Sequence, residues 1–255
     1  WINAKGLSAE LISYTCNGTK INSGPVSTFS NYTVVSENKL VRITSDIPMD
    51  VASLLGCAVT TGAGIILNTL KAGSGNTVAV IGAGGIGMSA VVGAGIVGCW
   101  KIIAVDISDF KLKMARDIGA TDTINSLEED ILDAVMRITE GKGVDFVVEA
   151  AGTKQTMENG MEIIHNSGTV VIAGNLAHGK KIEIDPFDLI KGKKIIGTWG
   201  GESVPDEDIP KYIEMYNKSG LDLGRLITNR YKLDEINRAF DELEEGRVGR
   251  AIIEM

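Results

Sequence analysis

The strongest chemical signal in the 255-residue sequence is Gly82-Ala83-Gly84-Gly85-Ile86-Gly87, which follows the apolar run 77–81 and opens a helical stretch. The spacing G-x-G-x-x-G is weak evidence alone, because a chain with 31 glycines meets it by chance. Here each glycine has a physical task. Gly82 permits a tight strand-to-helix turn, Gly84 lets the backbone approach a diphosphate, and Gly87 lets the helix lie close on the strand. With Gly85 they form a set of binding candidates at a helix N-terminus, where unpaired N–H groups and roughly half a positive charge favour an anion. The second half of such a site is an acid at the end of the next strand, about 20 residues on. The run 102–105 delivers Asp106, 19 positions after Gly87. A carboxylate there accepts from both hydroxyls of an adenosine ribose and repels a 2′-phosphate, which argues for NAD over NADP. The plainer role for Asp106, shared with Ser108 and Asp109, is to cap a helix at Phe110.

These residues need a frame, and the pattern from Thr77 onward supplies one. Strand-length apolar runs fall at 78–81, 102–105, 121–124, 144–148, 169–173 and 194–197. Helical stretches at 85–98, 109–118, 127–139 and 154–165 separate the first five. Strands alternating with helices mean βαβ units, hence an α/β fold with a doubly wound, six-stranded parallel sheet of the Rossmann type. Upstream, the spacing predicts strands at 29–35 and 39–43. Pro48 opens a helix containing Leu54, Leu55 and Cys57, whose second half Gly62 and Gly64 leave open. The more polar tail predicts helices at 208–217 and 233–245 and a last strand at 250–253. The division expected is 1–59, a cofactor domain at 60–202, and 203–255.

Composition sets the outer bounds. With 44% hydrophobic and 23% charged residues the chain is of the ordinary globular class. Its net charge of −8, with no basic block, speaks against nucleic acid as a partner. No charged residue falls between Lys71 and Lys101, a membrane-span signal. Seven glycines from Gly82 to Gly98, and the resolution of the segment into strand, turn and helix, argue for a soluble protein instead. Cys16, Cys57 and Cys99 are odd in number and widely spaced, so a reducing, cytoplasmic compartment is expected.

Taken together, several segments resemble the zinc-containing medium-chain alcohol dehydrogenases, with the benzyl-alcohol and liver-type branches closest. They are Ser27-Thr28-Phe29-Ser30-Asn31-Tyr32-Thr33-Val34-Val35, Gly56-Cys57 with Thr60-Thr61-Gly62-Ala63-Gly64, the glycine fingerprint, Ile102-Ile103-Ala104-Val105-Asp106, and Leu112 to Thr121. The resemblance implies hydride transfer between NAD and an alcohol or aldehyde substrate, with zinc held by two Cys and one His polarising the oxygen. By the same resemblance, residues 1–59 and 203–255 are remnants of a mostly β, GroES-like catalytic domain. Cys57 matches a zinc ligand, Thr61 a position near the nicotinamide, and Lys111 one beside the adenosine ribose. Gly174 matches a position lining the nicotinamide, and Arg250 one reaching the pyrophosphate. Each has a bland alternative: for Cys57 a buried thiol in an apolar helix, for Lys111 a solvated helix face, for Arg250 a rim salt bridge. A homodimer or homotetramer is implied, paired through residues 194–201.

The chain departs from the family pattern at the chemistry. The first zinc Cys, the zinc His, the proton-relay residues and the structural zinc lobe precede the segment that Trp1 begins, so an inactive fragment retaining the cofactor site is expected. His165 and His178 do not fall where the family places a ligand. Cys16 and Cys99 lack metal-ligand spacing, and one ligand makes no zinc site. The alternatives are a zinc-free reductase resembling quinone oxidoreductases, or a nucleotide-binding module without catalysis.

Overall fold

The computed structural model describes residues 14–21, 28–44, 46–219 and 223–255; Trp1 and Ser27 lie outside them. A short antiparallel hairpin, β1 (Tyr14–Cys16) and β2 (Thr19–Ile21), turns at Asn17-Gly18. Both turn residues take positive φ (49° and 77°), the geometry Asn-Gly favours in two-residue hairpins. The strands expected at 29–35 and 39–43 do not form. That stretch carries one 3-10 turn, Glu37–Lys39, and otherwise no regular structure. Apolar alternation alone does not make a strand: Phe29, Tyr32, Val34 and Leu40 face solvent, and no described strand lies alongside to complete a ladder.

The helix opened by Pro48 splits in two, α1 (Met49–Leu54) and α2 (Ala58–Gly64), the latter running into a π-turn at Ile65–Thr69. Cys57 sits at the break with φ −148° and ψ −68°, exposed, so the buried-thiol alternative is overturned. Gly62 lies inside α2 and Gly64 is its last residue before the π-turn, and both are points of close contact. A Cβ at Gly62 would collide with the Ile86 carbonyl, and one at Gly64 would lie 2.5 Å from Ser203 Oγ.

The sheet contains β3 (Thr77–Ile81), β4 (Lys101–Asp106), β5 (Asp122–Asn125), β6 (Val144–Glu149), β7 (Ile164–Ile172) and β8 (Lys194–Gly197). All pairs are parallel, in the order β5-β4-β3-β6-β7-β8. Strand order reverses at β3 and β6, creating the crevice where doubly wound sheets take ligands. Side chains alternate between two cores: Val78, Val80, Ile102 and Ala104 enter one, Ala79, Ile81, Ile103 and Val105 the other. On the first face lie α2, α3 (Gly85–Ile96) and α4 (Asp109–Asp117); on the second, α5 (Ile131–Ile138) and α6 (Lys154–Ile163). Burial on both faces is why these strands read as near-continuous apolar runs.

Helices and strands differ from expectation mainly at their ends. α5 starts at Ile131, where the Asp130 carboxylate accepts from Asp133 N (3.1 Å). α6 stops at Ile163, since Ile164 pairs with Val144 and puts His165 in β7. The tail adds a short α7 (Pro186–Ile190), α8 (Pro205–Ser219), the unexpected β9 (Ile227–Lys232), α9 (Ile236–Glu244) and β10 (Arg250–Glu254). β10 pairs in parallel with β9. Ile47, Val51, Leu54 and Leu55, together with Ile209, Tyr212 and Ile213 of α8, join the same core as the first face of the sheet.

Candidate dinucleotide site

The fingerprint glycines sit where β3 hands over to α3. Gly82 has φ +96°, a region in which L side chains are strained, and its N–H donates to Val105 O (2.8 Å). A Cβ at Gly82 would also lie 2.7 Å from Ala151 N, so the β6–α6 turn rests against it. At Gly87 a Cβ would collide with the Gly82 carbonyl, which confirms close helix-on-strand packing. Gly84, the N-cap of α3, faces open space: no atom lies within 4 Å of where its Cβ would be. The first helical bond closes from Met88 N to Gly84 O (2.8 Å), leaving the earlier N–H groups of α3 without helical acceptors.

Two side chains flank this cradle. Asp106, half-buried at the end of β4, accepts from Ala83 N through Oδ2 (2.7 Å) and from Ser108 N through Oδ1 (3.0 Å). It is therefore a tie between the glycine loop and its own strand end, and not the cap of α4, whose N-cap is Ser108. Each oxygen retains a lone pair for a further donor. Arg250, the first residue of β10, lies across α3: a Cβ at Gly85 would be 2.7 Å from its Nη1. Its guanidinium makes no ion pair among the described residues, which overturns the rim salt bridge.

The remaining candidates lie on other elements. Thr61 is buried in α2, one residue before the glycine that presses on Ile86. Gly174 follows β7, where its N–H donates to Glu149 O (2.9 Å). Lys111 is half-buried in the first turns of α4, with no ion pair among the described residues. Cys57 stands alone. Among the described residues no group of three or more His, Cys, Asp or Glu is placed to hold a metal ion.

Sequence reasoning missed Glu149. It ends β6, is fully buried, and takes three donors on Oε1: Ala151 N (3.0 Å), Gly152 N (2.8 Å) and Thr156 Oγ1 (2.7 Å). The signal was present, an acid closing an apolar strand as Asp106 does.

At the opposite, amino end of the sheet, Asp145 accepts from Thr77 N (2.7 Å) and Thr77 Oγ1 (2.8 Å) and meets His165 Nε2 (2.9 Å). The Asp145 hydrogen bond, opposed by burial and helped by the Asn166 carbonyl, holds the His165 pKa above the usual histidine value. Burial works against the Asp145 charge, but His165 and Thr77 outweigh it and its pKa falls. This pair is structural, remote from the glycine loop.

The sequence profile of the family described as zinc-binding dehydrogenases matches residues 85–218. The chain belongs to that family. Among its relatives, a probable S-(hydroxymethyl)glutathione dehydrogenase 1 of Schizosaccharomyces pombe is 36% identical over 231 residues, covering 90% of the chain and 61% of the relative. An alcohol dehydrogenase class-3 of Pisum sativum is 37% identical over 230 residues, with 89% and 61% covered. Benzyl alcohol dehydrogenase from Acinetobacter calcoaceticus superposes with TM-score 0.86 at 33% identity, covering 90% of this chain and 63% of that structure. An alcohol dehydrogenase zinc-binding domain protein from Burkholderia ambifaria gives the same TM-score at 35% identity, with 90% and 62% covered. The chain thus spans about three fifths of the length of the curated relatives it matches (61%). No helix among its described residues is long and apolar enough to cross a membrane.

Proposed function

We propose that this chain is the NAD-binding part of an alcohol dehydrogenase that transfers hydride between the nicotinamide and a primary or secondary alcohol, aromatic alcohols included. The observation that carries it is the bond from Ala83 N to Asp106: the acid suited to an adenosine ribose is fastened to the loop suited to a diphosphate. The remaining residues fit the dinucleotide. Gly84 leaves the approach open, the first N–H groups of α3 point free, and Arg250 over Gly85 adds a cation beside the phosphates. When bound, NAD supplies the hydride acceptor. Asp106 accepts the ribose hydroxyls, and its charge turns away a 2′-phosphate.

Zinc is a different matter. Cys57 is exposed and has no partner ligands among the described residues, so these residues do not make a zinc site and no step is assigned to one. The reading therefore includes cofactor binding without turnover by the 255 residues alone. It keeps the division 1–59, 60–202 and 203–255, a GroES-like origin for the flanks, a cytoplasmic location, and pairing of copies into a homodimer or homotetramer. Pairing is supported by β8, the edge strand of the sheet, beside which Trp199 is 66% exposed.

Titration of the chain with NADH and NADPH by fluorescence, alongside metal analysis and assay with benzyl alcohol, tests the proposal. Saturable NADH binding, with NADPH weaker by about tenfold or more, no bound zinc and no turnover, is expected. No saturable NADH binding in that titration overturns it.

A further inference from the structure

The two strands flanking β3 each end in an acid, Asp106 on β4 and Glu149 on β6, and the proposed site uses only the first. We propose that Glu149 is a positioning residue for the nicotinamide half of the dinucleotide, acting through the Gly152–Gly174 contact; the inference rests on the dinucleotide reading above.

The geometry is that of a knot joining three loops. Oε1 gathers Ala151 N, Gly152 N and Thr156 Oγ1, which fixes the turn from β6 into α6. Ala151 is also the residue that Gly82 presses on, so the same turn abuts the fingerprint loop. Oε2 is buried without a hydrogen-bond partner and faces Gly174, where a Cβ would lie 2.7 Å from it and would collide with Gly152 N. The Glu149 carbonyl accepts from Ala173 N (2.8 Å) and Gly174 N (2.9 Å), binding the end of β7 to the same point. Gly152 in turn leaves room for Asn175, whose N and O would each be 2.9 Å from a Cβ there.

Position along the ligand follows from topology. In a doubly wound sheet each half holds one mononucleotide, with the diphosphate at the reversal of strand order. Asp106 marks the adenosine half over β4, so the nicotinamide half lies over the ends of β6 and β7. There the surface is the turn 150–152 and Gly174, all held by Glu149. Glu149 itself is 0% exposed and touches no ligand; its effect passes through the backbone it positions.

A residue needed only for folding would weaken every ligand alike, and this difference is measurable. NADH and ADP-ribose, which lacks the nicotinamide, are titrated against the chain and its Glu149→Asp and Glu149→Gln variants, with thermal melting as a check on folding. Shortening the side chain in Glu149→Asp draws Oε1 away from its three donors and is expected to weaken NADH about tenfold but ADP-ribose less than about threefold. Glu149→Gln keeps an acceptor oxygen and is expected to stay within about threefold of the unaltered chain for both ligands. Equal losses for the two ligands, no loss for either, or Glu149→Gln weaker than Glu149→Asp overturns the proposal. Should Glu149→Asp not fold, hydrogen exchange in the unaltered chain decides: NADH slows exchange at Ala151 and Gly152 more than ADP-ribose does, and equal slowing overturns the inference. If the unaltered chain binds ADP-ribose and NADH with equal affinity, the nicotinamide half is not held here and this inference fails alone. If it binds neither, the dinucleotide reading fails and takes this one with it.

Discussion

Asp106 and Glu149 close neighbouring strands on either side of β3, yet the fold treats them differently. Asp106 is half-buried and spends one backbone donor on each oxygen, keeping acceptor capacity toward solvent. Glu149 is sealed, loads three donors on one oxygen and leaves the other bare. On the proposed reading the first meets a ligand, while the second holds backbone. A carboxylate at equivalent strand ends is thus left open to further donors or sealed inside the fold according to what covers it.

The largest expected effect that separates the two is on stability. Glu149→Ala empties a fully buried position and takes the acceptor from three part-buried donors, a loss of about 3 kcal/mol at roughly 1 kcal/mol per lost bond, read as a lower denaturant midpoint. Asp106→Ala frees two donors near solvent, and about 1 kcal/mol is expected. Affinity should rank the two the other way. Asp106→Ala is predicted to weaken NADH by about tenfold to a hundredfold and to raise relative affinity for NADPH. An unchanged NADH/NADPH ratio in the titration would reduce Asp106 to a structural tie.

The Asp145–His165 pair offers a control at the far end of the sheet. Because the His165 pKa is raised on folding, its stabilisation is full below the unperturbed 6.5 and is lost as pH climbs through the raised value. Asp145, with its pKa lowered, contributes above the unperturbed 3.8 and loses that contribution as pH falls through the lowered value. The pair therefore stabilises most between those two unperturbed values. His165→Gln is expected to flatten the alkaline-side slope of urea midpoint against pH, by about 1 kcal/mol or less after solvent screening, and to leave NADH affinity unchanged. Smallest of all, Cys57→Ser should alter neither stability nor NADH binding by more than about twofold, checked in the same titrations.

Much of the sheet was legible because strands buried on both faces must be apolar throughout, and six such runs separated by helical stretches admit few arrangements. The glycine loop was legible for a related reason: steric demands at Gly82 and Gly87 leave little choice of residue. Residues 28–44 show the converse. Their apolar alternation is that of a strand, but a strand is a paired object, and no strand among the described residues lies beside them. Asn17-Gly18 is a hairpin signal legible in the sequence, and the chain turns there. Arg250 was placed near the phosphates by resemblance alone; no local pattern brings a residue of the tail over Gly85.

Sequence alone determined the strand-turn-helix unit at 77–96 and the acid at 106, because backbone conformation and strand period are local properties. Tertiary structure alone decided that Asp106 bonds the loop it serves, that Arg250 lies over α3, and that Glu149 is buried while its counterpart is not. Burial and hydrogen-bond partnership arise between segments distant in the chain, so no window of sequence contains them.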